Sequence, residues 1–166
     1  VSRANPLTTH DNAGIAAWRF KLSHKIDSFG TAYDAEQEIY SSLCPADIDK
    51  MVKLLPDLNG YRYGYKIGPQ MWVADRGDYM AVWLYDTEII RYYPDDTFSV
   101  DNGSFNTPTT SERLTAVLPS EFIAFHHRKK LGLSLIGHGG NWPGPLWPLN
   151  HSTRIDLTTG QIVEGS

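Results

Sequence analysis

Four groups of residues have types and spacings that could do chemistry. The first is Thr107, Thr109 and Thr110, followed by Arg113. Hydroxyls just before a helix start, beside free backbone N–H groups and the positive end of the helix dipole, make a place where an anion settles. An arginine one turn into that helix adds a two-pronged contact to phosphate or carboxylate. The plainer alternative is helix capping with a structural arginine. The second group is the histidines. His126 and His127 are adjacent, so on a strand they point to opposite faces and do not chelate one metal together. His138 and His151 fall in or beside loops, and a histidine such as His126 or His138 moves protons near neutral pH. Zinc needs three or four ligands in tetrahedral reach. No H-x-H or H-E-x-x-H spacing is present, so no metal is expected.

The third group is the basic run His127-Arg128-Lys129-Lys130. It reads as a phosphate-contacting finger or as a solvated hairpin tip. In the first case Tyr61, Tyr63, Tyr65 and the loop bearing Trp142 would supply stacking surfaces for single-stranded bases, provided they are exposed. The fourth group is the carboxylates Asp75, Asp78, Asp86, Asp95, Asp96 and Asp101. All stand near turn signals, where aspartate serves the turn itself. There is no G-x-S-x-G elbow. Walker and dinucleotide motifs are missing too, and Gly137-His138-Gly139-Gly140 lacks their strand-to-helix setting. Cys44 precedes Pro45 with nothing basic nearby to activate the thiol. No cofactor is expected.

Those groups need a scaffold, and the composition permits one. At 166 residues, 41% hydrophobic and 20% charged, the chain has the makings of one packed domain without a metal or disulfide. Five Trp, nine Tyr and six Phe favour strands and aromatic cross-strand pairs. A net charge of -4 gives no global attraction to nucleic acid or anionic membranes. With Cys44 alone there is no internal disulfide. No stretch approaches the ~20 apolar residues of a membrane span, and the first residues lack the pattern of a secretory signal.

The predicted fold class is α+β: an antiparallel sheet of short hairpins over residues ~61–165, packed against N-terminal helices over ~12–55. Residues 1–10 read as an extended arm and 11–58 as a helical part. Ile15, Trp18, Leu22 and Ile26 share one helix face that ends near Phe29-Gly30. A second helix is predicted over Asp34 to Leu43. A third runs from Pro45 to Pro56, with Ile48, Met51, Val52 and Leu55 on one side. The period then changes to two at Tyr61, Tyr63 and Tyr65. Strands follow at 71–74, 79–85, 87–93, 97–100, 122–126, 131–136, 154–157 and 161–163. A short helix over ~111–118 begins at the Thr109-Thr110-Ser111-Glu112 capping box.

Within this part, Trp83 to Pro119 resembles a family of small, uncharacterised tailed-bacteriophage proteins. That family's pattern is a Tyr-x-x-Thr-x-Ile strand, a short turn and a second strand. A Gly-Gly-aromatic-x-Thr-x-Thr-Thr stretch and an Arg-bearing helix follow. Tyr85, Thr87 and Ile89 match the first strand with the threonine one position closer. Gly103, Phe105, Thr107, Thr109, Thr110, Arg113 and Leu114 match the rest. Ser104 replaces the second glycine, and Ser111 stands where a lysine is common. Trp147-Pro148-Leu149 and Arg154-Ile155-Asp156 fit the closing hairpin loosely. The resemblance covers about a quarter of the chain and implies a phage origin rather than a chemistry.

The functional reading is a phage-encoded accessory protein in the host bacterial cytoplasm that binds a host protein or a nucleic acid. Thr107, Thr109, Thr110, Arg113, His126, Arg128, Lys129, His138 and Trp142 are its candidate contacts. An enzyme acting on a nucleotide or nucleic-acid phosphate is the rival. A virion subunit, with residues 1–10 as an arm onto another copy of the chain, is the third reading, and a homo-oligomer fits it.

Overall fold

The computed structural model describes residues 22–57, 60–102, 107–128, 130–135 and 149–163. It is an α+β fold built on an eight-stranded antiparallel sheet. Six strands run as a meander: β1 (Val52–Asp57), β2 (Gly60–Gly68), β3 (Met71–Asp75), β4 (Met80–Leu84), β5 (Thr87–Tyr92) and β6 (Thr97–Val100). The chain then leaves the sheet for a helix and the separate hairpin of β7 (Phe122–His127) and β8 (Lys130–Leu135). It returns with β9 (Arg154–Asp156), antiparallel to β6, and ends the sheet with β10 (Ile162–Val163).

The turn chemistry explains the tight meander. Arg76-Gly77-Asp78 joins β3 to β4, with Gly77 at φ +91° and its N–H held by the Asp75 carboxylate. Pro94-Asp95-Asp96 joins β5 to β6, and Asp96 takes a left-handed φ of 66° that aspartate tolerates better than most residues.

One sheet face carries the main core. Met71, Val73, Met80, Val82, Ile90, Tyr92 and Phe98 alternate onto it, as a period of two requires. Helix α1 (Phe29–Ser42) covers β2, β3 and β4 with Ala32, Ala35 and Ile39, spaced three and four apart on its buried stripe. Ser28 starts this helix. Its hydroxyl accepts from the Thr31 N–H while the Thr31 hydroxyl accepts from the Ser28 N–H. Helix α3 (Pro108–Ala116) adds Leu114, and the β7–β8 hairpin adds Phe122, Leu131 and Leu133. The buried Tyr92 hydroxyl donates to the Val117 carbonyl at 2.5 Å and ties the sheet to the end of α3. The opposite face has a smaller cluster of Leu55, Trp72, Ala74, Ala81 and Trp83.

Three predicted boundaries are corrected. The helix expected to end at Phe29-Gly30 does not reach that point, because residues 22–28 are non-helical and α1 begins at Phe29. Of the helix predicted from Pro45 to Pro56, only a 3-10 turn (Pro45–Asp47) and the four-residue α2 (Ile48–Met51) are helical. Val52 onward is β1, paired along its length with β2. Pro56 is tolerated there because β1 is an edge strand, where a missing N–H breaks no inner ladder. Helix α3 runs Pro108–Ala116 rather than ~111–118, with Thr107 as its cap. The predicted arm lies outside the described residues.

Candidate functional site

The threonine-rich entry to α3 is organised around its own cap. The Thr107 hydroxyl accepts from the Thr110 N–H at 3.2 Å and sits 3.0 Å from the Thr110 hydroxyl. Thr110 is buried, whereas Thr107 and Thr109 are exposed. Arg113 donates to the Pro69 carbonyl at 2.9 Å and so fastens α3 to the β2–β3 turn. The structure therefore places Thr107 and Thr110 together and directs Arg113 to backbone. His126 is half-buried on β7 opposite Leu131, and Arg128 is exposed at the hairpin tip with φ +52°. Lys129, His138 and Trp142 lie outside the described residues. Among the described residues no group of three or more His, Cys, Asp or Glu stands together to hold a metal ion.

Two other places concentrate polar chemistry; the alternation of Tyr61, Tyr63 and Tyr65 pointed to part of the first, and no motif pointed to the second. The first lies at the β1–β2 edge. Tyr61 and Tyr63 are 70% and 58% exposed, and Tyr65 packs its ring edge-on to Tyr40 at 5.9 Å. They line a concavity of about 540 Å³ with Glu36, Asp57, Asp75 and Arg62. Arg62 is already engaged, donating to the Asp57 carboxylate and to the Asp75 carbonyl. Glu36 is 7% exposed and accepts from the Asp75 N–H at 3.3 Å. Burial, and then repulsion from Asp75, push its carboxyl above the ordinary value.

The second place is an open cleft of about 440 Å³ on the sheet face away from α1. At its centre the nearly buried Glu88 binds Arg76 at 2.6 Å, Arg91 at 2.8 Å and the Tyr79 hydroxyl at 2.9 Å. Arg76 also reaches Asp57 at 2.9 Å and the Pro56 carbonyl at 2.8 Å. Burial, with Glu88 adding to it, pushes the Tyr79 phenol up to about 12, so it remains a donor. His151 bridges the Ser99 hydroxyl and the Glu88 carbonyl, each at 2.7 Å.

This cleft is better suited to holding than to proton transfer. Both imidazole nitrogens of His151 are engaged, and the Glu88 carboxylate has three donors. A general acid or base needs a free site within hydrogen-bond reach of its substrate.

The sequence signals for these places were faint. Tyr61 and Tyr63 were visible as an alternation. Glu88 was a lone carboxylate in an apolar strand, and only the pairing of Trp83 with Glu88 across a β-bulge shows what surrounds it. No protein-family model, no curated protein and no solved structure matches the chain.

Proposed function

We propose that this is a phage-encoded accessory protein that acts by binding, and that its target is a host protein docked on the β1–β2 edge. The observation that carries the reading is the exposure of Tyr61 and Tyr63 beside an acidic concavity on an edge hairpin. Tyrosine is favoured as an interface anchor because it buries a large rigid area and keeps a polar tip. Among the described residues β1 is an end strand of the sheet, with no strand on its outer side, and Leu54 is exposed on it.

The charges favour a protein over nucleic acid. Glu36, Asp57 and Asp75 line the concavity, and Arg62, the one cation among its lining residues, is spent on Asp57. Such a surface repels a phosphate backbone and attracts a lysine or arginine, which tyrosine faces also receive well. The phage origin rests on the resemblance over residues 83–119, and the host cytoplasm follows from that origin. No helix among the described residues is long and apolar enough to cross a membrane.

Pull-down from bacterial lysate compares the natural chain with a Tyr61→Ser, Tyr63→Ser double variant, each with and without nuclease. The expected result is a protein retained by the natural chain, insensitive to nuclease and lost with the variant. Retention that disappears with nuclease, or that is equal in both chains, overturns the proposal.

A further inference from the structure

The concavity beside Tyr61 and Tyr63 exists because the sheet opens there. Strand β2 pairs with β3 only as far as Tyr65 and Val73. Among the described residues its first part, from Gly60 to Gly64, is held by β1 alone. Asp75, two residues past that last pair, turns its N–H to Glu36 on α1. The gap is the space of about 540 Å³ that Glu36 and Asp75 line together with the tyrosines.

Glu36 carries a charge that this arrangement does not use. It is 7% exposed, yet its bonds are two long ones, from the Asp75 N–H and from the Gln37 amide, each at 3.3 Å. Both donors are neutral, so a neutral acceptor would serve them. No lysine or arginine among the described residues stands in ion-pair reach of it. Arg62 attracts it from further off but is committed to Asp57 and to the Asp75 carbonyl. A glutamate buried this far is ordinarily paired with a cation. Asp75, whose carboxylate holds the Gly77 N–H, adds a second charge of the same sign. The missing partner is therefore a cation, and the surroundings say which. The exposed rings of Tyr61 and Tyr63 can lie along an aliphatic stem and attract the charge at its end. Both Glu36 oxygens already accept a bond. That suits the single-point contact of an ammonium better than the two parallel bonds of a guanidinium.

We propose that this concavity receives one lysine side chain, with its ammonium on the Glu36 carboxylate and its stem along Tyr61 and Tyr63. The inference rests on the docking reading above, in which the lysine belongs to the docked protein. The probe is N-acetyl-lysine methylamide, titrated into the ¹³C-labelled full chain while the Glu36 carboxyl carbon and the tyrosine rings are followed. Glu36→Gln assigns the carboxyl signal and removes the charge while keeping the shape. The expected result is a saturable shift at Glu36, Tyr61 and Tyr63, with a dissociation constant on the order of 10 mM. With the probe present, the Glu36 carboxyl should titrate at lower pH than without it, because a bound cation favours its charged form. The norleucine analogue, which has the stem without the charge, should leave Glu36 in place. Glu36→Gln should weaken binding about fivefold or more, read from the tyrosine rings. It should unfold in urea no earlier than the natural chain, since it loses only an unpaired buried charge. An unmoved Glu36 carboxyl, an equal response to norleucine, or tighter binding of the arginine analogue overturns the proposal. So does a marked loss of stability in Glu36→Gln, which would make the carboxylate structural. The titration needs no lysate, so the two readings fail separately. A silent titration beside an intact pull-down removes the lysine contact and leaves the docking edge. A saturable titration beside an empty pull-down supports the ammonium site and removes the docked protein.

Discussion

The Nε2 of His151 lies 2.7 Å from the Glu88 carbonyl oxygen, while its Nδ1 lies 2.7 Å from the Ser99 hydroxyl. A carbonyl only accepts, so the ring proton sits on Nε2 and Nδ1 accepts from Ser99. One neutral imidazole thereby ties the segment before β9 to both β5 and β6. Burial lowers the His151 pKa from its ordinary 6.5, and Arg91 adds to this. The folded chain therefore resists a proton that the unfolded chain accepts. This contribution to stability is present above the unfolded value of 6.5 and is lost as pH falls from there toward the folded pKa. Urea unfolding midpoints should drop between about pH 7.5 and pH 5.5. His151→Gln, which keeps a donor and an acceptor without the titration, should show a shallower drop. Parallel slopes in the two proteins would remove His151 from the account.

Glu88 presents the opposite case, a charge that must remain. It is 8% exposed and serves two arginines and the Tyr79 hydroxyl. Removing one partner of a buried ion pair leaves the other charge uncompensated. Glu88→Ala should therefore cost about 3 kcal/mol in urea unfolding. With its carboxylate neighbour gone, the Tyr79 phenol should also titrate lower than about 12. The fall should be partial, because burial is the larger cause. Comparison with Tyr79→Phe in an ultraviolet phenol titration isolates that group.

The hairpins were legible because each is bracketed by strong turn chemistry, such as Arg76-Gly77-Asp78 and Thr158-Thr159-Gly160. The start of the sheet was not. Ile48, Met51, Val52 and Leu55 fit a helical stripe, yet Val52 to Asp57 pair with residues 60–65, and that long-range pairing overrides the local period. The start of α1 was hidden for a different reason. Its box uses Thr31 where the recognisable pattern has Glu or Gln. The two polar concavities were least legible. Glu36 and Asp75 are 39 residues apart in the chain and meet only when α1 lies on β3. His151 reaches Glu88 across 63 residues.

The cap of α3 gives a direct contrast between sequence and structure. A capping box at Thr109 made that residue the cap, whereas the structure assigns the role to Thr107. Thr107→Ala should cost about 1 kcal/mol by leaving the Thr110 N–H without its acceptor. Exposed Thr109→Ala should stay within about 0.5 kcal/mol of the natural chain. Thermal or urea unfolding ranks the two, and the reverse order would restore the cap to Thr109.

Gly64 tests the packing of the lesser core. A β-carbon there would stand 2.4 Å from Leu55 Cδ1 and 3.3 Å from Trp72 Cβ. Leu55 is fully buried in the cluster with Trp72 and Trp83, so its methyl has little room to retreat. Gly64→Ala should cost about 1–3 kcal/mol by overpacking. Leu55→Ala alone should cost about 2–5 kcal/mol by opening a cavity. Each change removes the cause of the other's cost, since the added methyl occupies part of the space that Leu55 vacates. The double variant should therefore lose less than the sum of the singles by about 1 kcal/mol or more. Additive losses would mean that the two residues do not share that space.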